Sequence, residues 1–86
     1  MSNISGLALY QYMGCIYCAR VRSAIEGLGV EIELRDTLRN PEFGEEVFTA
    51  TGRSTVPVLR IESEDGAVEW MPESREIIAY LQGRFE

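Results

Sequence analysis

Two cysteines separated by two residues, Cys15-Ile16-Tyr17-Cys18, sit where the apolar pattern of this chain changes period. Before them runs Leu7-Ala8-Leu9-Tyr10-Gln11-Tyr12, a mostly apolar stretch of strand length. After them Cys18, Val21, Ala24, Ile25 and Leu28 recur at helical spacing. The change of period predicts a strand, a short loop and a helix whose first turn carries Cys15. A helix start offers unpaired N–H groups and the positive end of the dipole, so it favours the thiolate of Cys15. Cys18, one turn deeper on the apolar stripe, is expected to be more buried and less reactive. An exposed attacking thiolate with a shielded partner behind it is the arrangement that thiol–disulfide exchange requires. Cys18 also has a plainer reading, because a free cysteine packs well as a small buried hydrophobe.

Composition narrows the chemistry further. Two cysteines and no histidine exclude a Cys-His hydrolase, fall short of the four protein ligands of a structural zinc site, and are too few for a disulfide framework. Redox chemistry remains, or a metal site shared between two chains. A net charge of −6, with arginine supplying all eight cationic residues, argues against nucleic acid or an anionic membrane as the partner. The segment Met1-Ser2-Asn3-Ile4-Ser5-Gly6 carries neither a basic leader nor a long apolar stretch, so a cytoplasmic address is expected. Eighty-six residues are read as one domain, 1–86, with a single modest core and expected to be monomeric.

The rest of the chain alternates elements. Gly29 closes the first helix, and Val30-Glu31-Ile32-Glu33-Leu34-Arg35 predicts a strand at a sheet edge with Val30, Ile32 and Leu34 inward. Asn40-Pro41 reads as an N-cap and first helical residue, Phe43, Val47 and Ala50 keep helical spacing, and Gly52 ends that helix. Ser54 to Ile61 is extended, with Pro57 near its start, where a strand need not donate. Asp65-Gly66 signals a hairpin returning through Ala67-Val68-Glu69-Trp70. Met71-Pro72-Glu73-Ser74 opens a last helix with Ile77, Ile78, Leu81 and Phe85 on its apolar face. Phe43, Phe48 and Trp70 are expected in or near the core. The order β-α-β-α-β-β-α predicts an α/β fold: parallel first strands, an antiparallel final hairpin, and one four-stranded mixed sheet with helices on both faces.

This order, with Cys15-Ile16-Tyr17-Cys18 at the first strand–helix junction and Thr55-Val56-Pro57 before the third strand, resembles the thioredoxin fold and glutaredoxins in particular. The ending Glu73-Ser74, Ile77, Ile78, Tyr80, Leu81 looks more like the N-terminal domain of glutathione transferases. The resemblance implies a cis Val56-Pro57 peptide that presents the Val56 backbone beside the cysteines, where an extended thiol substrate pairs with it. It implies that Glu73 and Ser74 bind the γ-glutamyl end of glutathione, that Arg53 reaches the glycyl carboxylate, and that Tyr17 flanks the tripeptide. Plainer readings stand beside these: Arg53 as a solvated loop charge, Tyr17 as a groove wall, and Pro57 as a strand-start proline.

Two departures from glutaredoxins are visible. Ile16 stands where most carry proline, and Tyr12 where many carry lysine. Three functions follow as expectations. The first is a glutathione-dependent oxidoreductase that reduces disulfide-containing or glutathionylated proteins, with Cys15 and Cys18 as its catalytic pair. The second is a dimer bridging a [2Fe-2S] cluster through Cys15 and glutathione. The third is a stand-alone glutathione-binding module, because the helical second domain of full transferases is not expected at this length.

Overall fold

The computed structural model describes residues 3–86; Met1 and Ser2 of the expected domain lie outside the described residues. At its centre is β1 (Leu7–Gln11), whose five residues are all buried. A strand covered on both faces reads as a continuous apolar run rather than an alternation, which is how this one appears in sequence. β1 pairs in parallel with β2 (Glu33–Asp36) and antiparallel with β3 (Val58–Glu62), and β3 pairs antiparallel with β4 (Val68–Met71). The sheet order is β2-β1-β3-β4, so β2 lies at an edge as expected. The helices are α1 (Ile16–Leu28), α2 (Pro41–Thr51) and α3 (Ser74–Phe85), in the predicted order.

Side chains alternate across β1 and divide the core in two. Leu7 and Leu9 face Val21 and Ile25 of α1, Ile77 and Leu81 of α3, and Leu59. Ala8 and Tyr10 face Val47 of α2 together with Val58, with Phe43, Val56 and Trp70 packed against them. α1 and α3 therefore cover one face and α2 the other. Tyr10 carries polar chemistry into the second cluster. Its hydroxyl donates to Glu46 at 2.7 Å and accepts from Arg35 Nη1 at 2.6 Å.

The turns follow the sequence signals. α1 and α2 end at Gly29 and Gly52, whose N–H groups donate to Glu26 and Phe48 carbonyls. The Ser63–Ala67 turn, with Gly66 at φ +89°, links β3 to β4. Asn40 caps α2, but its side chain makes no capping bond; its carbonyl accepts from Phe43 N–H at 3.0 Å instead.

Three expectations about packing are corrected. The β2 ladder begins at Glu33 rather than Val30, because Ile32 and Val30 turn into the α1 cluster before pairing starts. Leu34 shares the α1 face with its partner Leu9 yet is 47% exposed, since α1 overhangs the sheet edge only in part. Phe48 is 59% exposed, and Ala50 is also exposed. The buried line of α2 runs through Phe43 and Val47, and those two side chains are rotated away from it.

Candidate functional site

Cys15 is the N-cap of α1, with extended backbone angles of φ −86° and ψ 121°. It thus stands one position before the predicted first turn. Its sulfur takes the capping role that Ser or Asp commonly fills, accepting the Cys18 N–H at 3.3 Å. Its own N–H donates to the Tyr12 carbonyl at 3.3 Å, and its carbonyl accepts from Ala19 N–H at 3.0 Å. The sulfur lies 3.8 Å from the Val56 carbonyl oxygen. Held between the helix start and the Val56 backbone, Cys15 is only 8% exposed, which corrects the expectation of an open thiol.

Cys18 is fully buried, as expected. Burial pushes its thiol up to about 12, and the hydrogen bond with Cys15 adds to the rise. Both cysteines are free thiols. The pair therefore places a sulfur fixed by the Cys18 backbone N–H in front of a neutral, desolvated one. Chemically this arrangement permits a nucleophile with a partner within reach for internal disulfide formation.

The Val56–Pro57 peptide is cis. Pro57 is buried and precedes β3, so it takes no part in the ladder. Beside it opens a groove of 420 Å³ lined by Tyr17, Arg53, Thr55, Val56, Pro57, Pro72, Glu73 and Ser74. All six residues expected to bind glutathione border this one groove, joined by Thr55 and Pro72. They come from four places in the chain: the start of α1, the loop after α2, the approach to β3 and the start of α3. Glu73 caps α3 through its backbone alone, accepting Ile77 N–H at 2.9 Å, so its carboxylate makes no capping bond. Ser74 begins α3, where the first N–H groups have no intrahelical partner and suit an anionic group.

Several neighbours of the site were not predicted. Arg20 stacks over the exposed ring of Tyr17, its guanidinium carbon 5.6 Å from the centroid. Arg22 donates to the buried Gln11 side chain and approaches the Tyr12 carbonyl at 3.4 Å. Spacing is the available signal for both: Tyr17 and Arg20 stand at i, i+3, and Cys18 and Arg22 at i, i+4. A larger recess of 740 Å³ is bordered by Gly6, Glu62, Tyr80 and Arg84. It lies at the opposite end of β1; neither recess is lined by a cysteine, but the 420 Å³ groove is bordered by Val56, whose carbonyl meets the Cys15 sulfur.

Among the described residues no three His, Cys, Asp or Glu side chains gather to hold a metal. A [2Fe-2S] cluster shared between two chains would draw on Cys15, whose sulfur sits against the Val56 carbonyl and is nearly covered. That geometry does not fit a bridging ligand. Nor is any helix among the described residues long and apolar enough to cross a membrane.

The four-stranded mixed sheet, the cysteine pair at the first strand–helix junction and the cis proline opposite define a thioredoxin-like fold of the glutathione transferase N-terminal kind. Residues 9–86 match the family described as glutathione S-transferase, N-terminal domain, and the chain belongs to that family. No curated protein sequence matches it. Among solved structures it is similar to maleylacetoacetate isomerase from Anaeromyxobacter dehalogenans 2CP-1 with glutathione bound in the active site, at 28% identity and a TM-score of 0.70. That match covers 92% of this chain and 37% of the other. A trimeric glutathione transferase from Leishmania is 26% identical with a TM-score of 0.76, over 92% of this chain and 18% of that one. A glutathione transferase homologue from Sulfitobacter, solved with glutathione, shares the fold at 19% identity and a TM-score of 0.71, over 95% and 38%. The chain thus spans well under half the length of each.

Proposed function

We propose that this protein is a glutathione-dependent thiol–disulfide oxidoreductase of the glutaredoxin type. The observation that carries the reading is the Cys15 sulfur, bonded to a helix N-terminal N–H and set beside the groove that begins at Val56. Glutathione bound in the isomerase from Anaeromyxobacter dehalogenans supports the choice of thiol.

In this mechanism the Cys15 thiolate attacks the glutathione sulfur of a glutathionylated protein. A Cys15–glutathione disulfide forms, the substrate S–S bond breaks, and the protein thiolate leaves and takes a proton from water. Resolution follows by one of two routes. A second glutathione thiolate attacks the bound glutathione sulfur and releases glutathione disulfide. Otherwise Cys18 attacks Cys15, releases glutathione and forms the internal disulfide, which two further glutathiones reduce. Within the groove the Val56 backbone pairs with the tripeptide. The N-terminus of α3 at Ser74 receives the γ-glutamyl carboxylate, Glu73 its ammonium, and Arg53 the glycyl carboxylate, while Tyr17 covers one side.

The test is glutathione-dependent reduction of a glutathionylated peptide coupled to glutathione reductase. Wild-type protein turns over, Cys18→Ser retains the glutathione route, and Cys15→Ser falls to background. Turnover by Cys15→Ser at the wild-type rate would refute the proposal.

The low exposure of Cys15 favours a second reading, a module that binds glutathione without reacting with it. Calorimetric glutathione binding without turnover on any disulfide is its signature.

A further inference from the structure

Arg22 lies outside the groove, yet it is the charged side chain most closely tied to the cysteine loop. It stands seven residues after Cys15 and four after Cys18, so the three follow one stripe of α1. Its guanidinium reaches back over the end of β1, where Nη1 donates to Gln11 Oε1 and lies 3.4 Å from the Tyr12 carbonyl oxygen. That same carbonyl accepts the Cys15 N–H.

Gln11 is the one buried side-chain amide among the described residues, and a buried amide requires a partner. Arg22 supplies it. A single guanidinium therefore joins the strand end, the loop before Cys15 and the helix that carries Cys18. Its positive charge is the weakest of the influences on the Cys18 thiol and opposes the burial that disfavours the thiolate.

Few other groups act on that thiol. Cys15 faces it from the start of α1 and the Tyr12 backbone from the end of β1. α3 packs apolar Ile77 and Leu81 against α1. Glu26 and Glu31 border the outer recess that Arg22 also lines.

We propose that Arg22 is a positioning residue for the second half of the exchange, holding the loop before Cys15 and enabling Cys18 to resolve a mixed disulfide within the chain. The inference rests on the oxidoreductase reading and names what selects between its two routes of resolution. In the step concerned, the Cys18 thiol gives its proton to water and its sulfur attacks Cys15 Sγ. The Cys15–Cys18 bond forms, the bond to the substrate sulfur breaks, and the leaving thiolate departs with the electron pair. The cysteine pair is oxidised and the substrate disulfide is reduced by the same two electrons.

The experiment uses dithiobis-nitrobenzoate, which releases a coloured thiolate at each step and needs no glutathione site. Wild-type protein should release one thiolate as Cys15 is modified and a second as Cys18 closes the internal disulfide. Arg22→Met frees the loop before Cys15 from the end of β1 and removes a cation that favours the Cys18 thiolate, so it should slow the second phase severalfold and move its pH profile upward. The first phase should slow less than the second, because the Cys18 N–H that bonds the Cys15 sulfur stays in place. Arg22→Lys keeps the charge and should restore most of the second phase; if Arg22→Met does not fold, the neutral but hydrogen-bonding Arg22→Gln replaces it in the test.

An unchanged second phase in Arg22→Met, equal slowing of both phases, or Arg22→Lys slowed as much as the neutral variant would each overturn the proposal. So would a wild-type chain with one phase. Absence of glutathione turnover with both phases present would instead count against the oxidoreductase reading alone.

Discussion

Replacing Cys18 by alanine should lower stability near neutral pH and raise it, relative to wild type, in alkali. Cys18 is fully buried, and deleting one buried heavy atom of this size costs about 1 kcal/mol. Against that stands the proton. An unfolded thiol ionises near 9.0, whereas burial holds the folded one at about 12. Between those values the unfolded chain has released the proton and the folded chain has not. The folded state then binds more protons, so stability falls as pH rises. One pH unit above the unfolded value the loss reaches about 1.4 kcal/mol, and it grows by about as much per further unit until the folded thiol titrates. The wild-type advantage should therefore vanish near pH 10 and reverse above it. The tyrosines are common to both proteins and cancel in the difference. Urea denaturation with a phosphine reductant, at about pH 8 and about pH 10.5, reads the gap at both ends. A gap of the same sign and size at both would refute the desolvation of Cys18.

Four further outcomes follow from the packing and the groove. Gly6 has φ +83°, and a Cβ there would lie 2.4 Å from the Glu62 carbonyl oxygen, which is fixed by its place in β3. Gly6→Ala should cost at least about 2 kcal/mol in urea titration, while Phe48→Ser, on an exposed ring, should stay within about 0.5 kcal/mol. Tyr10→Phe removes a buried hydroxyl bonded to both Glu46 and Arg35; those partners keep some solvent contact, so a loss of about 1–2 kcal/mol is expected by the same method. If the Glu73 carboxylate meets the glutathione ammonium as proposed, away from the reacting sulfur, Glu73→Ala should raise the KM for glutathione about threefold to fivefold and leave kcat within about twofold. Equal losses in kcat would place Glu73 elsewhere in the reaction.

Much of the architecture was legible because local and long-range signals agree in this chain. The apolar run at Leu7–Tyr10 marks a strand covered on both faces, and Gly29, Pro41, Gly52 and Asp65-Gly66 mark ends that the backbone uses. The groove was legible through motif spacing: residues far apart in sequence, from Tyr17 to Ser74, border it together. Exposure was not. Whether Phe48 or Leu34 is covered depends on how far a helix overhangs the sheet, which periodicity does not encode. The openness of Cys15 depends on the Val56 backbone, 41 residues away, closing over its sulfur. Arg22 was missed for a related reason. Helical spacing puts it below Cys18, but only the fold brings Gln11 and Tyr12 within its reach.

The most direct test of the central claim is intact-mass analysis of the Cys18→Ser protein after exposure to glutathione disulfide, with the modified residue located by peptide mapping. The account predicts one glutathione per chain, on Cys15, released by fresh glutathione, and none on the Cys15→Ser protein. An unmodified Cys15 in protein that still binds glutathione would contradict it and leave the groove as a binding site alone.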